Sequence, residues 1–419
     1  MGLKGRAMKI GFRWGIGAAV VVIAAALTGL PIMTGSMAES AYRSGVEEIR
    51  QAEIVEYERG FYSSSVLTRY RFENGGMAFD VVQNVSHGMT GARFDGNVIP
   101  LGEMREVMAQ LGGDENTIRF NGRYGFNDIQ FTLTTEPLVG TLDLDQDAQL
   151  ELGRLRVAGN STNDGETVFA EIHWDGAALR SLSGPDVVEV GDFSGQMAVS
   201  LVAGTTAMGV WEGEFGAGVN HFLMDVEGTD PLEVGSVRLA GRTEVEPGDQ
   251  LANELKFDFE ALQTADLRPL NGRATLQTRG LLIEPLLELA RQAEQFGDNA
   301  PYERLLADAI EQGVTVRLSE TEISAGPERR LMADAELEIQ PEMAGLLRAG
   351  LVAFGGIEAM ALELNVALDQ QLADELPRDL GVWLAQLRAF GLLRPQDGQL
   401  KLKLELNDGQ ILVNGQPWG

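Results

Sequence analysis

Three histidines, His87, His173 and His221, are the residues of this 419-residue chain best suited to acid–base or metal chemistry, and their spacing supports neither. They stand far apart in sequence, without the HExxH or paired-ligand spacing that sets two imidazoles on one helix face. Each falls in or beside a strand-like stretch, where a hydrogen-bonded or surface histidine is the ordinary outcome. The series Asp143, Asp145, Asp147 superficially resembles a calcium loop, but it lacks a glycine at the sixth position and a glutamate at the twelfth. On an alternating strand such carboxylates simply form a solvated face. No GxSxG elbow presents a nucleophilic serine, so Ser63, Ser64 and Ser65 read as a strand start. Phosphate cradles need GxxxxGK[ST], or GxGxxG between a strand and a helix, whereas the glycines from Gly209 to Gly218 interrupt a strand pattern. With 62 acidic residues, no carboxylate pair stands out for general acid–base work. The chain has no cysteine, which removes disulfides, thiolate zinc sites and cysteine nucleophiles together. The expectation from residue chemistry is therefore no catalytic residue, no metal ligand and no cofactor.

The element that positions everything else is Trp14 to Met33, twenty uncharged and mostly apolar residues. As a helix it covers about 30 Å, the hydrocarbon thickness of a bilayer. Lys4, Arg6, Lys9 and Arg13 precede it, and the first acidic residue is Glu39. The basic segment 1–13 is thus expected in the cytoplasm and the rest on the far side. A cleavable signal peptide has the same order of features, with small residues at Ser36-Met37-Ala38. The length of the run favours a retained anchor. The net charge of −29 becomes more negative once those four basic residues are set aside, and it disfavours nucleic acid and anionic headgroups as partners.

Residues 34–56 form an expected amphipathic stalk, with Tyr42, Val46 and Ile49 at helical spacing among charges. From Tyr57 the period changes to two, and strands joined at Asn74-Gly75-Gly76 read as a hairpin. Here the stretch YERGFYSSSVLTRYRF, the strand ending in Val85-Ser86-His87-Gly88 and the closing GLLRPQDGQLKLKLELNDGQILVNGQPWG resemble the YdgA-like family of bacterial inner-membrane-anchored periplasmic proteins. Tyr57, Gly60, Phe61, Ser63, His87, Gly88, Asn414 and Gly415 match its pattern, and Met89 stands where that family has proline. The resemblance covers both ends of the chain. It implies a bacterial source, one N-terminal anchor and a large periplasmic part. The family has no assigned activity, so no catalytic role transfers to those eight positions.

A short helix is expected between Pro100 and Leu111, then a strand-rich region to Gly280. Within it Leu142, Leu144, Ala148, Leu150 and Leu152 face one way, and Leu255, Phe257, Phe259 and Ala261 alternate with Lys256, Asp258 and Glu260. Residues 281–419 mix helices opened by Pro285, Pro301 and Pro341, a longer one from Gln371 to Phe390, and hairpins. The fold class is α+β: one transmembrane helix, a large antiparallel sheet, and helices concentrated in the C-terminal third. Residues 57–419 read as one elongated unit rather than separate domains. Exposed sheet edges leave homodimerisation open. The functional reading is a membrane-anchored periplasmic protein without enzymatic activity, either an envelope scaffold or a binder of lipid along an apolar sheet face. The alternative is a periplasmic hydrolase acting on envelope material, which lacks a recognisable constellation.

Overall fold

The computed structural model describes residues 52–418, apart from residues 61, 72–77, 89–90, 126, 143–146, 163–164, 206–208, 265–266, 297–301, 327–328 and 376–377, together with Tyr42, Arg43 and Val46. The expected cytoplasmic segment and anchor, residues 1–33, lie outside the described residues, as do the turn at 74–76 and Asp143 and Asp145. Among the described residues no helix is long and apolar enough to cross a membrane. Two compact units divide the chain: one runs up to Ala198 and includes Phe222–Thr229, and the other joins Val199–His221 to Asp230–Gly419.

The first unit comprises β1 (Ala52–Arg59), β2 (Ser63–Arg71), β3 (Ala78–Gly88), β4 (Gly91–Pro100), α1 (Glu103–Gln110), β5 (Ile118–Tyr124), β6 (Asp128–Thr135), β7 (Leu138–Leu142), β8 (Ala148–Leu152), β9 (Leu155–Thr162), β10 (Thr167–Trp174), β11 (Ala177–Ser181), β12 (Val187–Val190) and the start of β13 (Phe193–Gly204). After β14 (Gly209–Val219), which belongs to the second unit, the chain returns as β15 (Phe222–Asp225). Antiparallel pairing runs β1-β2-β3-β4-β5-β6-β9-β10, and a second ribbon runs β7-β8-β11-β12-β15.

Alternation puts Val66, Thr68 and Tyr70 of β2 on the same face as Phe79, Phe94, Phe120 and Leu133, and together they make the core. Glycines shape it. A Cβ at Gly122 would collide with the Phe94 ring, and one at Gly96 with Phe120, so each ring lies down over a neighbouring strand where only glycine leaves room.

Within the segment read as stalk, the strand β1 already begins at Ala52, because Ala52 and Ile54 pair with Tyr70 and Thr68. The described stalk residues pack onto the sheet. Tyr42 and Val46 are buried against Val66, Ala52, Ile54 and Tyr57, and the Tyr42 hydroxyl lies 2.6 Å from Thr68 Oγ1. Tyr42 and Val46, two of the residues at helical spacing, thus share a buried face whose partner is this unit's own sheet, and Ile49 lies outside the described residues.

Burial pushes the phenols of Tyr42 and Tyr124 above their ordinary value near 10. A raised folded pKa means that stability is intact below about pH 10 and falls as pH rises, because the unfolded chain releases those protons first. Each phenol is expected to add about 1.4 kcal/mol per pH unit to the alkaline loss. Urea melts at pH 9, 10 and 11 test this: Tyr42→Phe combined with Tyr124→Phe should flatten the slope, and an unchanged slope would contradict the assignment.

The second unit holds β14, β16 (Leu232–Val234), β17 (Ser236–Glu246), β18 (Gln250–Thr264), β19 (Leu267–Leu282), α2 (Ile283–Phe296), α3 (Tyr302–Ala309), β20 (Val314–Ser324), β21 (Arg330–Ile339), α4 (Glu342–Arg348), α5 (Val352–Gly355), β22 (Met360–Asp369), α6 (Gln370–Glu375), α7 (Arg378–Ala389), β23 (Arg394–Gln396), β24 (Gln399–Asn407), β25 (Gln410–Val413) and β26 (Gln416–Pro417). Its main sheet pairs antiparallel in the order β14-β17-β18-β19-β20-β21-β22-β24-β25. The helix expected from Gln371 to Phe390 is two helices, α6 and α7, with Pro377 between them in sequence to deny a helical N–H.

Candidate hydrophobic groove

Strand register in the second unit collects apolar residues into continuous rows. Phe215, Gly241, Leu255, Leu276, Leu318, Ala335, Leu364, Leu404 and Val413 stand directly across from one another on nine successive strands. At about 4.8 Å per strand this row extends about 38 Å. Beside it Leu239, Phe257 and Ala274 form a second, shorter row.

The opposite face is charged. Arg273 pairs with Glu322 at 2.8 Å, Lys256 with Glu254 at 2.9 Å, and Lys403 with Glu363 at 3.5 Å. Hydrogen bonding to Lys256 holds the Glu254 carboxyl below its usual range, and the same contact raises the Lys256 ammonium. Such solvent-exposed pairs stabilise little, but they establish which face is wet.

Among the described residues, helices cover the apolar face at the ends of the strands. α2 packs Leu287 against Leu251, Leu281 and Val245, while α3 and α4 bring Ala307, Met343 and Ala344 against Val314, Val316, Ile339 and Met360. At the other end Leu372 of α6 and Leu384 and Leu387 of α7 pack against Leu270, Leu331, Leu368 and Leu400. Between these walls Phe215, Leu255, Phe257 and Leu276 stay 37–42% exposed. The floor is smooth because the rings lie flat: a Cβ at Gly241 would strike Phe215, and one at Gly272 would strike Phe259. The result is an apolar groove walled by helices at the strand ends, most open over β14, β18 and β19 and closing toward β25, where Val413 is buried.

One residue read from alternation is misplaced. Ala261 does not continue the Leu255, Phe257, Phe259 face; it sits at a β-bulge with φ 54°, its N–H donating to Asn271 Oδ1 at 2.9 Å. The extra residue shifts the parity, so Leu262 takes the apolar side opposite Leu270. Glu320, with φ 52°, makes the same shift in β20.

The motif residues lie elsewhere. In the first unit Tyr57 stands across from Val66, its ring 6.2 Å from that of Tyr42 and under the Arg43 guanidinium at 5.6 Å. The Gly60 N–H donates to the Ser63 carbonyl at 2.7 Å, closing the turn between β1 and β2, where a Cβ would fall 2.7 Å from that oxygen. Ser63 pairs with Ser86, and Gly88 with Gly91. Phe61 is outside the described residues. The His87 N–H donates to the Tyr62 carbonyl at 2.8 Å, and His87 Nε2 lies 2.9 Å from Ser64 Oγ.

A serine and an imidazole at that distance could serve as nucleophile and base. Ser64, however, is only 4% exposed and lies within the β2–β3 pairing, where the contact ties two strands together. Sequence reading singled out His87 but missed this partner. His173 instead contacts Asp175 at 3.1 Å on the surface, and His221 lies between β14 and β15, so the three histidines are not brought together. Among the described residues no group of three or more histidine or carboxylate side chains is placed to hold a metal ion.

Asn414 and Gly415, in the second unit, turn the chain from β25 to β26 with φ 51° and 76°. The Asn414 N–H donates to the Lys403 carbonyl at 2.7 Å, its Oδ1 accepts from the Lys403 N–H at 2.9 Å, and its Nδ2 donates to the Leu392 carbonyl at 2.9 Å. This one amide fastens the segment after α7 to the last hairpin. Asn414→Ala is expected to cost about 2–4 kcal/mol from left-handed strain and lost bonds. Asn414→Gly, which relieves only the strain, should fall between the two in thermal melts; equal stability of all three would contradict the clamp.

A family model described as a bacterial protein of unknown function (DUF945) matches residues 14–418. The chain belongs to this family. The match takes in both the segment read as the anchor and the whole groove. No curated protein and no solved structure matches the chain. Membership agrees with the bacterial source implied by the motif resemblance and brings no catalytic residue or ligand, so function rests on the geometry of the chain itself.

Proposed function

We propose that this protein is a non-enzymatic, membrane-anchored envelope protein that holds the acyl chain of a lipid in the groove of its second unit. The observation that carries this reading is the half-exposed row through Phe215, Leu255 and Leu276, apolar across nine strands and walled by helices. Its length of about 38 Å exceeds the about 15 Å that the acyl chains of one leaflet span. Ordinary packing would bury such a row beneath a helix, whereas the described helices flank it at the ends of the strands.

Two further features support it. α7, which walls one end, turns Trp383 (60% exposed) outward, followed by Phe390 (73%), and exposed aromatics of this kind favour a lipid headgroup region. The uncharged segment 14–33 behind a basic flank favours a single pass through the bacterial inner membrane with the bulk in the periplasm, the layout of the YdgA-like proteins that its motifs resemble. The test is to release the full-length protein from bacterial membranes, extract it with organic solvent and weigh what co-purifies. Stoichiometric lipid is expected; stoichiometric protein partners without lipid would make the protein a scaffold and overturn the acyl-chain reading.

A further inference from the structure

The first unit has a polar face that the groove does not use. Register sets Arg93 directly opposite Arg123, and continues the row with Gln130, Asn160 and Phe169 across β4, β5, β6, β9 and β10. With Asn121 and Thr132 of the next row they line an open depression of about 480 Å³. Like charges facing each other across a strand pair are destabilising. That makes the placement telling in a chain with 33 basic and 62 acidic residues, where a carboxylate was the commoner choice. Only one of the two is compensated. Arg123 donates to Asp128 Oδ2 at 3.2 Å, an oxygen that also accepts from Gln130 at 3.0 Å, whereas Arg93 is exposed and its guanidinium makes no ion pair or hydrogen bond among the described residues.

We propose that this depression binds an acidic sugar chain. A carboxylate or phosphate oxygen bridging the Arg93 and Arg123 guanidiniums relieves their repulsion, and guanidinium forks suit such oxyanions. The amides of Asn121, Gln130 and Asn160 each offer both donors and an acceptor, the complement of sugar hydroxyls. Phe169 supplies an apolar face for the C–H side of a ring. Single-stranded nucleic acid, the competing polyanion, is bound on successive aromatic platforms; of the two phenylalanines lining this depression Phe131 packs against the core, which leaves Phe169 alone in the polar row.

The test titrates the full-length protein, held in lipid nanodiscs, with an oligogalacturonate, a neutral oligosaccharide of equal length, inorganic phosphate alone and an oligothymidylate. The oligogalacturonate is expected to bind, more weakly as salt rises, and Arg93→Gln and Arg123→Gln should each weaken it about tenfold or more. Without ligand, Arg93→Gln should keep or raise the melting temperature, since it removes a repulsion and no contact. Leu276→Asp should leave sugar binding unchanged, which separates this site from the lipid groove. Equal affinity for the neutral sugar, tighter binding of phosphate alone or of the oligothymidylate, or indifference to both arginine substitutions would overturn the proposal.

Discussion

Replacing Leu276 with aspartate is expected to strip lipid from the full-length protein and leave its fold intact. Leu276 is 40% exposed in the middle of the groove row, between Leu255 and Leu318, and no core packing depends on it. An acyl chain laid over that position would desolvate the new carboxylate, which has no cation beside it on the apolar face. Burying an unpaired charged group costs several kcal/mol, so a loss of about one hundredfold or more in affinity follows. Leu276→Ala should weaken binding only mildly, and Lys256→Ala, on the opposite face, should not change it. Displacement of a fluorescent fatty acid gives the affinities, and melting curves check the fold. Equal binding by the aspartate variant would show that the row is not the lipid site.

The second large effect is expected at Tyr42. Tyr42→Ala removes an aromatic side chain that is 8% exposed and leaves the wholly buried Thr68 hydroxyl without its 2.6 Å partner. Together these should cost about 3–5 kcal/mol, most visibly as faster amide exchange in β1 and β2. Tyr42→Phe keeps the ring and should cost about 1–2 kcal/mol. The consequence reaches beyond stability. Residues 34–41 separate the expected anchor from Tyr42, and an extended chain of that length spans about 30 Å at most. Docking of Tyr42 therefore keeps the first unit close to the end of segment 14–33, and Tyr42→Ala lengthens that leash.

Much of the fold was legible because local pattern and final structure agree. The period-two runs of Leu255 to Phe259 and Leu400 to Leu406 became β18 and β24, and the prolines at 285, 301 and 341 stand at or beside helix starts. Failures occur where one residue changes the register. A bulge at Ala261 or Glu320 reverses which parity faces the core, and in the sequence it looks like one ordinary residue in an alternating run. The first strand begins before the period-two pattern does, since Ala52 follows the helical spacing of Val46 while its partner Tyr70 lies 18 residues on.

The candidate sites were legible only in part. An apolar sheet face was readable strand by strand, but the nine-strand row depends on pairings such as β22 with β24, which bypass two helices and a short strand. Likewise Arg93 and Arg123 look like two unrelated surface cations until the β4–β5 register sets them face to face. Sequence spacing carries chemistry when the ligands sit on one helix or loop, and these surfaces are assembled across strands.

The central claim, an acyl chain in the groove of the second unit, is tested most directly by placing a photoreactive amino acid at Leu276 in the full-length protein, irradiating living bacterial cells and weighing the adducts. The same label at Lys256 reports on the charged face. A lipid adduct at Leu276 and none at Lys256 is the predicted result. Adducts only to a second copy of the chain at Leu276, or lipid captured equally at both positions, would contradict the account.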